Sequence, residues 1–154
     1  MDERVKRLKT PEECEIFRTN VQKTLPAPAQ EARRRGVELR AAAYGAKSAA
    51  EKEALCAVYA YEEVLSKKHG RTTRASRTWQ MINRHGIIGA VERALNREHE
   101  TVGYTALIEM GMQDFAFEAV VGRYPELFSP EAVARARARM EEWTRGERPG
   151  PAAS

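Results

Sequence analysis

Residues 48–70, SAAEKEALCAVYAYEEVLSKKHG, decide the fold of this 154-residue chain. Ser48 followed by Glu51 is the capping-box pattern, in which a hydroxyl and a carboxylate bind the first free backbone amides of a helix. Apolar side chains then recur at helical spacing, at Ala54, Val58, Tyr61 and Leu65. Gly70 supplies the residue that ends a helix most easily. The stretch therefore predicts the longest helix of the chain and the centre of its core.

A first helix is indicated upstream by Thr10 and Glu13, which repeat the capping pattern. We expect this helix to continue to about Leu25. Pro26 and Pro28 are predicted to break it, because a proline ring has no amide hydrogen to continue the ladder.

A second helix is predicted from about Ala29, where the run EARRRGVELRAAAY is rich in helix-forming residues. Val37, Ala41 and Tyr44 fall on one face of it. Gly45 follows that face and is expected to end the helix as a C-terminal cap.

Two more helices are predicted around a glycine in the second half of the chain. Ser76 can cap a short helix that carries Trp79 and Ile82, and Gly86 is expected to close it. The next helix then has an apolar stripe at Ile87, Val91 and Leu95.

Short helices are also suggested by the runs YTALIEM (104–110) and QDFAFEAVVGRY (113–124). Ser129 followed by Pro130 starts a last helix. Its predicted buried stripe comprises Val133, Ala136, Met140 and Trp143. The aromatic residues of this half are interpreted mostly as core: Tyr104, Phe115, Phe117, Tyr124, Phe128 and Trp143. A partner-binding groove is the alternative interpretation of these side chains.

The fold class follows from these patterns. No run of four to eight residues alternates in the manner of a strand, and β-branched residues are sparse. We predict an all-α protein, a compact bundle of about seven helices with short paired helices in its C-terminal half. Residues 1–146 are expected to form one domain, and residues 147–154 a flexible tail of glycine, proline and small residues.

Composition limits the classes of function. The opening MDERVKRLK has no apolar run behind it, and no later segment approaches the roughly 18 apolar residues of a membrane span. We therefore expect a cytoplasmic protein without membrane contact. Cys14 and Cys56 have no neighbouring metal-ligand spacing and are interpreted as buried thiols. We predict no metal site and no cofactor.

Positive charge is concentrated in residues 67–97. Residues 64–99 contain eight Lys or Arg and two Glu, a net of +6, so the rest of the +4 chain sums to −2. A local excess of cations attracts the phosphate backbone of nucleic acid by Coulomb attraction and counterion release. The alternative interpretations are that these side chains simply solvate helix faces, or that they bind an acidic protein.

Within this basic segment, RTWQMINRHGIIGAVERAL resembles a DNA-binding helix-turn-helix. Met81, Ile82, Ile87 and Leu95 match apolar positions of that motif. The resemblance implies a second helix that enters the major groove, with phosphates held from the preceding loop, and it favours DNA over RNA. Ile82 replaces a usual small residue, and Glu92 replaces a usual apolar one.

We accordingly predict non-catalytic binding of nucleic acid with little sequence selectivity. Trp79 lies inside the basic segment, and a nucleobase is expected to stack on its ring. The predicted contact residues are Lys67, Lys68, Arg71, Arg74, Arg77, Trp79, Arg84, Arg93, Asn96 and Arg97. A regulatory or accessory helical module whose basic face binds an acidic protein partner is the second hypothesis.

An enzyme is less favoured, because no nucleophile elbow, Gly-rich phosphate loop or helical His pair is present. Arg93 and His99 are nevertheless spaced in a way that is similar to the all-α HEPN ribonucleases. That resemblance implies that Arg93 and His99 would act on the scissile phosphate of RNA, although Ala94 stands where the family tends to carry a polar residue.

Overall fold

The computed structural model describes residues 1–96 and 102–146, and the regular structure of this part of the chain is entirely helical, with no strand. Eight α-helices follow in the order α1 Glu3–Lys6, α2 Pro11–Val21, α3 Pro26–Tyr44, α4 Ala49–His69, α5 Ser76–Asn96, α6 Val102–Glu109, α7 Phe117–Arg123 and α8 Pro130–Gly146. Short 3₁₀ turns at Gln113–Phe115 and Pro125–Leu127 flank α7. The predicted all-α bundle is confirmed.

Helix α4 is the centre of the core, as its sequence predicts. The Ser48 hydroxyl accepts a hydrogen bond from the Glu51 amide at 3.1 Å, and Gly70 ends the helix with a φ of 69°. Ala54, Leu55 and Val58 are fully enclosed. Helices α3, α5, α6 and α7 all pack on α4, so the core runs continuously from Val37 in α3 to Trp143 in α8.

The boundary between α2 and α3 differs from the prediction. Helix α2 ends at Val21 rather than near Leu25, and Pro26 and Pro28 begin α3 instead of separating it from α2. The first four amides of a helix have no intrahelical acceptor, so prolines are tolerated there. The first backbone hydrogen bond of α3 runs from the Ala29 amide to the Leu25 carbonyl, at 3.0 Å, so neither proline has to donate one.

Periodicity did not place every side chain in this half of the chain correctly. Tyr61 and Leu65, in the apolar stripe predicted for α4, are only half-buried. Tyr44 was predicted on the buried face of α3, but it is 47% exposed at the helix end, where its ring meets Trp79. Val5 in α1 is fully buried although no helix was expected there. A four-residue helix is too short to show a periodic pattern.

The C-terminal half agrees with its patterns. Tyr104, Phe115, Phe128 and Trp143 are buried, and the Tyr104 and Trp143 rings stack at 4.1 Å between centroids. Phe117 and Tyr124 are half-buried against the same core, so the aromatic residues form core rather than an open groove. Both cysteines are buried free thiols, as predicted. No helix in the described residues is both long and apolar enough to cross a bilayer.

Candidate nucleic-acid interface

The loop that begins the basic segment is held in place by two side chains of α4. Ser66 Oγ accepts a hydrogen bond from the Thr73 amide at 2.9 Å. Glu62, only 5% exposed, accepts three bonds on a single carboxylate oxygen: from the Ala75 amide at 2.8 Å, Trp79 Nε1 at 2.7 Å and Arg74 Nε at 3.1 Å. These bonds set where the chain turns from α4 into α5.

Trp79 is one of the residues that hold this loop to α4, through its bond to Glu62. Its ring lies 5.8 Å from the Tyr44 ring and 5.4 Å from the Tyr59 ring, measured between centroids. The Arg74 guanidinium sits 5.3 Å from the Trp79 centroid. A nucleobase could stack on Trp79 only by displacing one of these neighbours, so the predicted stacking role competes with a structural one.

The remaining cations of the segment divide into two groups. Arg74 is paired with Glu62, and Lys67 lies 3.7 Å from Glu109. The other group is exposed, and in the described part of the chain no carboxylate comes within 4.0 Å of its members: Lys68, Arg71, Arg77, Arg84 and Arg93. We refer to these five residues as the free cations.

The glycine turn is sharper than that of a helix-turn-helix. Within α5 only Gly86 departs from helical geometry, with φ 79° and ψ 172°, whereas the motif joins its helices by three or four residues. Ile82, Ile87 and Leu95 are buried on the core side, as the resemblance implies. The apolar positions therefore agree with the motif, and the connection does not.

The second arm of α5, residues 87–96, is partly covered by its neighbour α8. Glu92 accepts a hydrogen bond from the Ser129 amide at 2.8 Å, just before α8 begins, which explains a carboxylate at this position. Asn96 Oδ1 accepts a bond from Arg135 at 2.8 Å, so its acceptor atom is already engaged. Arg93 and Asn96 are the two predicted contact residues in this arm, and within the described residues only the Arg93 side chain makes no such bond.

Two residues of the earlier hypotheses lie outside the described part of the chain. Arg97 completes the predicted phosphate contacts, and His99 completes the arginine–histidine pair of the ribonuclease resemblance. Among the described residues, no three His, Cys, Asp or Glu side chains come together in a way that could hold a metal ion.

Basic residues from outside the basic segment also lie beside its loop 70–74. The net charge of residues 64–99 did not reveal them. Arg18 of α2 and Arg33 and Arg40 of α3 line a groove whose opposite wall is the loop 70–74. The only sequence signal was the basic run RRR at 33–35. Nothing in that run indicates which helix faces the loop.

No family model, no curated protein and no solved structure matches the chain. The function proposed below therefore rests on the side chains and geometry of this chain alone.

Proposed function

We propose that this protein binds nucleic acid without catalysis through the basic segment 67–97. The supporting observation is the set of five free cations, which are exposed from the end of α4 to the second arm of α5. Unpaired surface cations release condensed counterions when they neutralise phosphates, and this release drives binding that is largely independent of sequence. Paired cations such as Arg74 contribute less, because their charge is already offset.

Sequence selectivity is expected to be low. Base edges are read by side chains with free donors and acceptors, and here Asn96 is engaged by Arg135. Phosphate contacts position a protein on nucleic acid without reading its sequence. Duplex DNA is the favoured ligand, since each phosphate contact on a duplex releases more counterion than one on a single strand.

The salt dependence of binding tests the proposal. Five phosphate contacts predict that the logarithm of the association constant falls with the logarithm of salt concentration with a slope of about −4.5. Fluorescence anisotropy of a labelled random-sequence duplex measures this slope. Absence of binding at low salt would overturn the proposal.

A matched pair of variants assigns the binding to the segment. The triple variant Arg77→Gln/Arg84→Gln/Arg93→Gln should reduce the magnitude of the slope by about 3. A control triple, with glutamine at Arg7, Arg137 and Arg145, removes the same charge from exposed arginines elsewhere. Equal effects of the two triples would show that net charge alone, and not this surface, attracts the DNA.

The two other hypotheses give different results in the same experiments. Failure to bind DNA or RNA at low salt, together with binding to an acidic polypeptide, would support a protein-interaction module instead. Degradation of RNA that is abolished by His99→Ala would support the ribonuclease alternative, whereas intact RNA after long incubation removes it.

A further inference from the structure

A groove of about 680 Å³ lies between α2, α3, the C-terminal half of α4 and the loop 70–74. Its volume is within the range of small-molecule sites, roughly 300–1,000 Å³. A DNA duplex needs an extended surface, whereas a groove of this size encloses a smaller group. The groove is thus a second candidate site, and Arg71 is the one free cation that also lines it.

The lining of the groove is strongly positive. Six cationic side chains face three carboxylates, an excess of three positive charges. The cations are Arg18, Arg33, Arg40, Lys67, Arg71 and Arg74, and the carboxylates are Glu15, Glu62 and Glu63. Of these carboxylates, Glu62 accepts the three bonds that hold the loop through Oε2 and forms its ion pair with Arg74.

Two arginines share the remaining inner carboxylate loosely. Glu63 lies 3.7 Å from Arg33 and 3.4 Å from Arg40, both longer than a good charge-assisted hydrogen bond. Among the described residues, Arg18 on the neighbouring helix donates only to the amide oxygen of Gln22, at 3.3 Å. Arg18, Arg33 and Arg40 therefore line one groove in which, among the described residues, Glu63 is the only carboxylate within 4.0 Å of any of their guanidinium groups.

Arg33 is the least satisfied of the three. Its side chain is 17% exposed, and its guanidinium makes no hydrogen bond within the described residues. Burial lowers the pKa of Arg33, the Glu63 carboxylate acts in the opposite direction, and the nearby Arg18 charge lowers the pKa further. The guanidinium nevertheless stays protonated. A desolvated cation with unused donors is stabilised by an anion that accepts them.

We infer that this groove binds the phosphate groups of a small phosphorylated ligand, of the class of nucleoside diphosphates and triphosphates. Guanidinium groups match phosphate oxygens in bidentate geometry, and an excess of three charges suits a ligand with two or three phosphates. Tyr59, whose ring also packs against Trp79 at 5.4 Å between centroids, lines the same groove and is the aromatic residue there that a base would contact. Arg18, Arg33 and Arg40 lie outside the segment 67–97, so this inference does not depend on DNA binding.

Isothermal titration calorimetry with sodium pyrophosphate and with ATP tests the inference. Arg33→Gln should weaken pyrophosphate binding about tenfold or more, because it removes a charge-assisted contact. Glu63→Gln should instead strengthen binding, because it removes the carboxylate that competes with the ligand for Arg33 and Arg40. Arg7→Gln, at an exposed arginine that does not line the groove, is the control and should leave affinity unchanged.

Opposite signs for the two groove variants distinguish a binding site from general damage to the fold. Circular dichroism shows in each case whether the variant is folded. The inference is overturned if the folded wild-type protein binds neither probe up to about 10 mM, where a millimolar site would be filled. It is also overturned if Arg33→Gln and Glu63→Gln both leave the affinity unchanged.

Two further arms identify the source of the phosphate and separate this site from the DNA surface. One arm compares two short single strands, one with a 5′-phosphate and one with a 5′-hydroxyl. If only the phosphorylated strand displaces pyrophosphate, the ligand is a strand end. If ATP binds more tightly than either strand, the ligand is a free nucleotide. The Arg77/Arg84/Arg93 triple variant should retain pyrophosphate binding. If it loses that binding while folded, the groove is not the site.

Discussion

Among the polar residues that hold the loop of the basic segment, Glu62 is expected to be the one whose substitution destabilises the protein most. The carboxylate is 5% exposed, and a single oxygen accepts bonds from the Ala75 amide, from Trp79 Nε1 and from Arg74. Substitution of Glu62 by alanine leaves two enclosed donors without a partner, at about 1–3 kcal/mol each. The Arg74 bond adds little, because 65% of that side chain is exposed.

We therefore expect Glu62→Ala to lower the free energy of unfolding by about 2–6 kcal/mol, a large share of the stability of a domain of this size. Glu62→Gln keeps one oxygen in the same position, so it should cost only about 1–2 kcal/mol. Glu141→Ala, at an exposed position of α8, should stay within about 0.5 kcal/mol of wild type.

Urea denaturation followed by circular dichroism and tryptophan fluorescence measures all three values. A loss of less than about 1 kcal/mol for Glu62→Ala would refute the reasoning, since it would mean that water satisfies the donors. Equal losses for the alanine and glutamine variants would show that charge, rather than the acceptor atom, holds the loop.

Three further predictions concern the turn, a long-range ion pair and the DNA surface. Gly86→Ala should destabilise the protein by about 1–3 kcal/mol in thermal or urea unfolding, because φ 79° with ψ 172° is open almost only to glycine; the control Gly122→Ala, with no atom within 4 Å of the added carbon, should stabilise it by about 0.5–1 kcal/mol. The bidentate bonds from Arg34 at 2.8 and 2.6 Å lower the pKa of Asp114, so Asp114→Asn should cost about 0.5–1 kcal/mol near pH 7. That cost should disappear as the pH falls below 3.8, the usual pKa of an aspartate, and through the lowered pKa of Asp114. A cost that persists in acid would contradict the assignment of this stability to the ion pair. Arg77→Gln alone should reduce the salt slope for DNA by about 1, and an unchanged slope would place that residue outside the contact.

Several helix ends were predictable because the bonds that define them are local. The exception is Ser76, which was predicted as the cap of α5 but is its first helical residue, preceded by Ala75. The capping bonds of Thr10 and Ser48 reach only three residues along the chain, and Gly45 and Gly70 end their helices in the left-handed conformation. Pro26 was misread, because the same missing amide that ends one helix is harmless at the start of the next. The rule that proline is excluded from a helix interior is therefore correct, but it does not tell whether a proline ends one helix or begins the next.

The basic segment was recognisable from composition, but the state of each of its cations was not. Arg74 is neutralised by a carboxylate 12 residues away, and Lys67 lies beside Glu109, 42 residues away. Such pairs depend on how helices pack, and the charge of a stretch contains no information about the carboxylates that will face it.

By itself the sequence determined the all-helical class, the caps and the place where positive charge accumulates, because these depend on neighbours within one turn of helix. Only the tertiary structure decided that Arg18, Arg33 and Arg40 face the loop 70–74 across one groove. Charges on separate helices interact through space at a few ångströms, and that separation is set by the packing of the core and not by the order of residues along the chain.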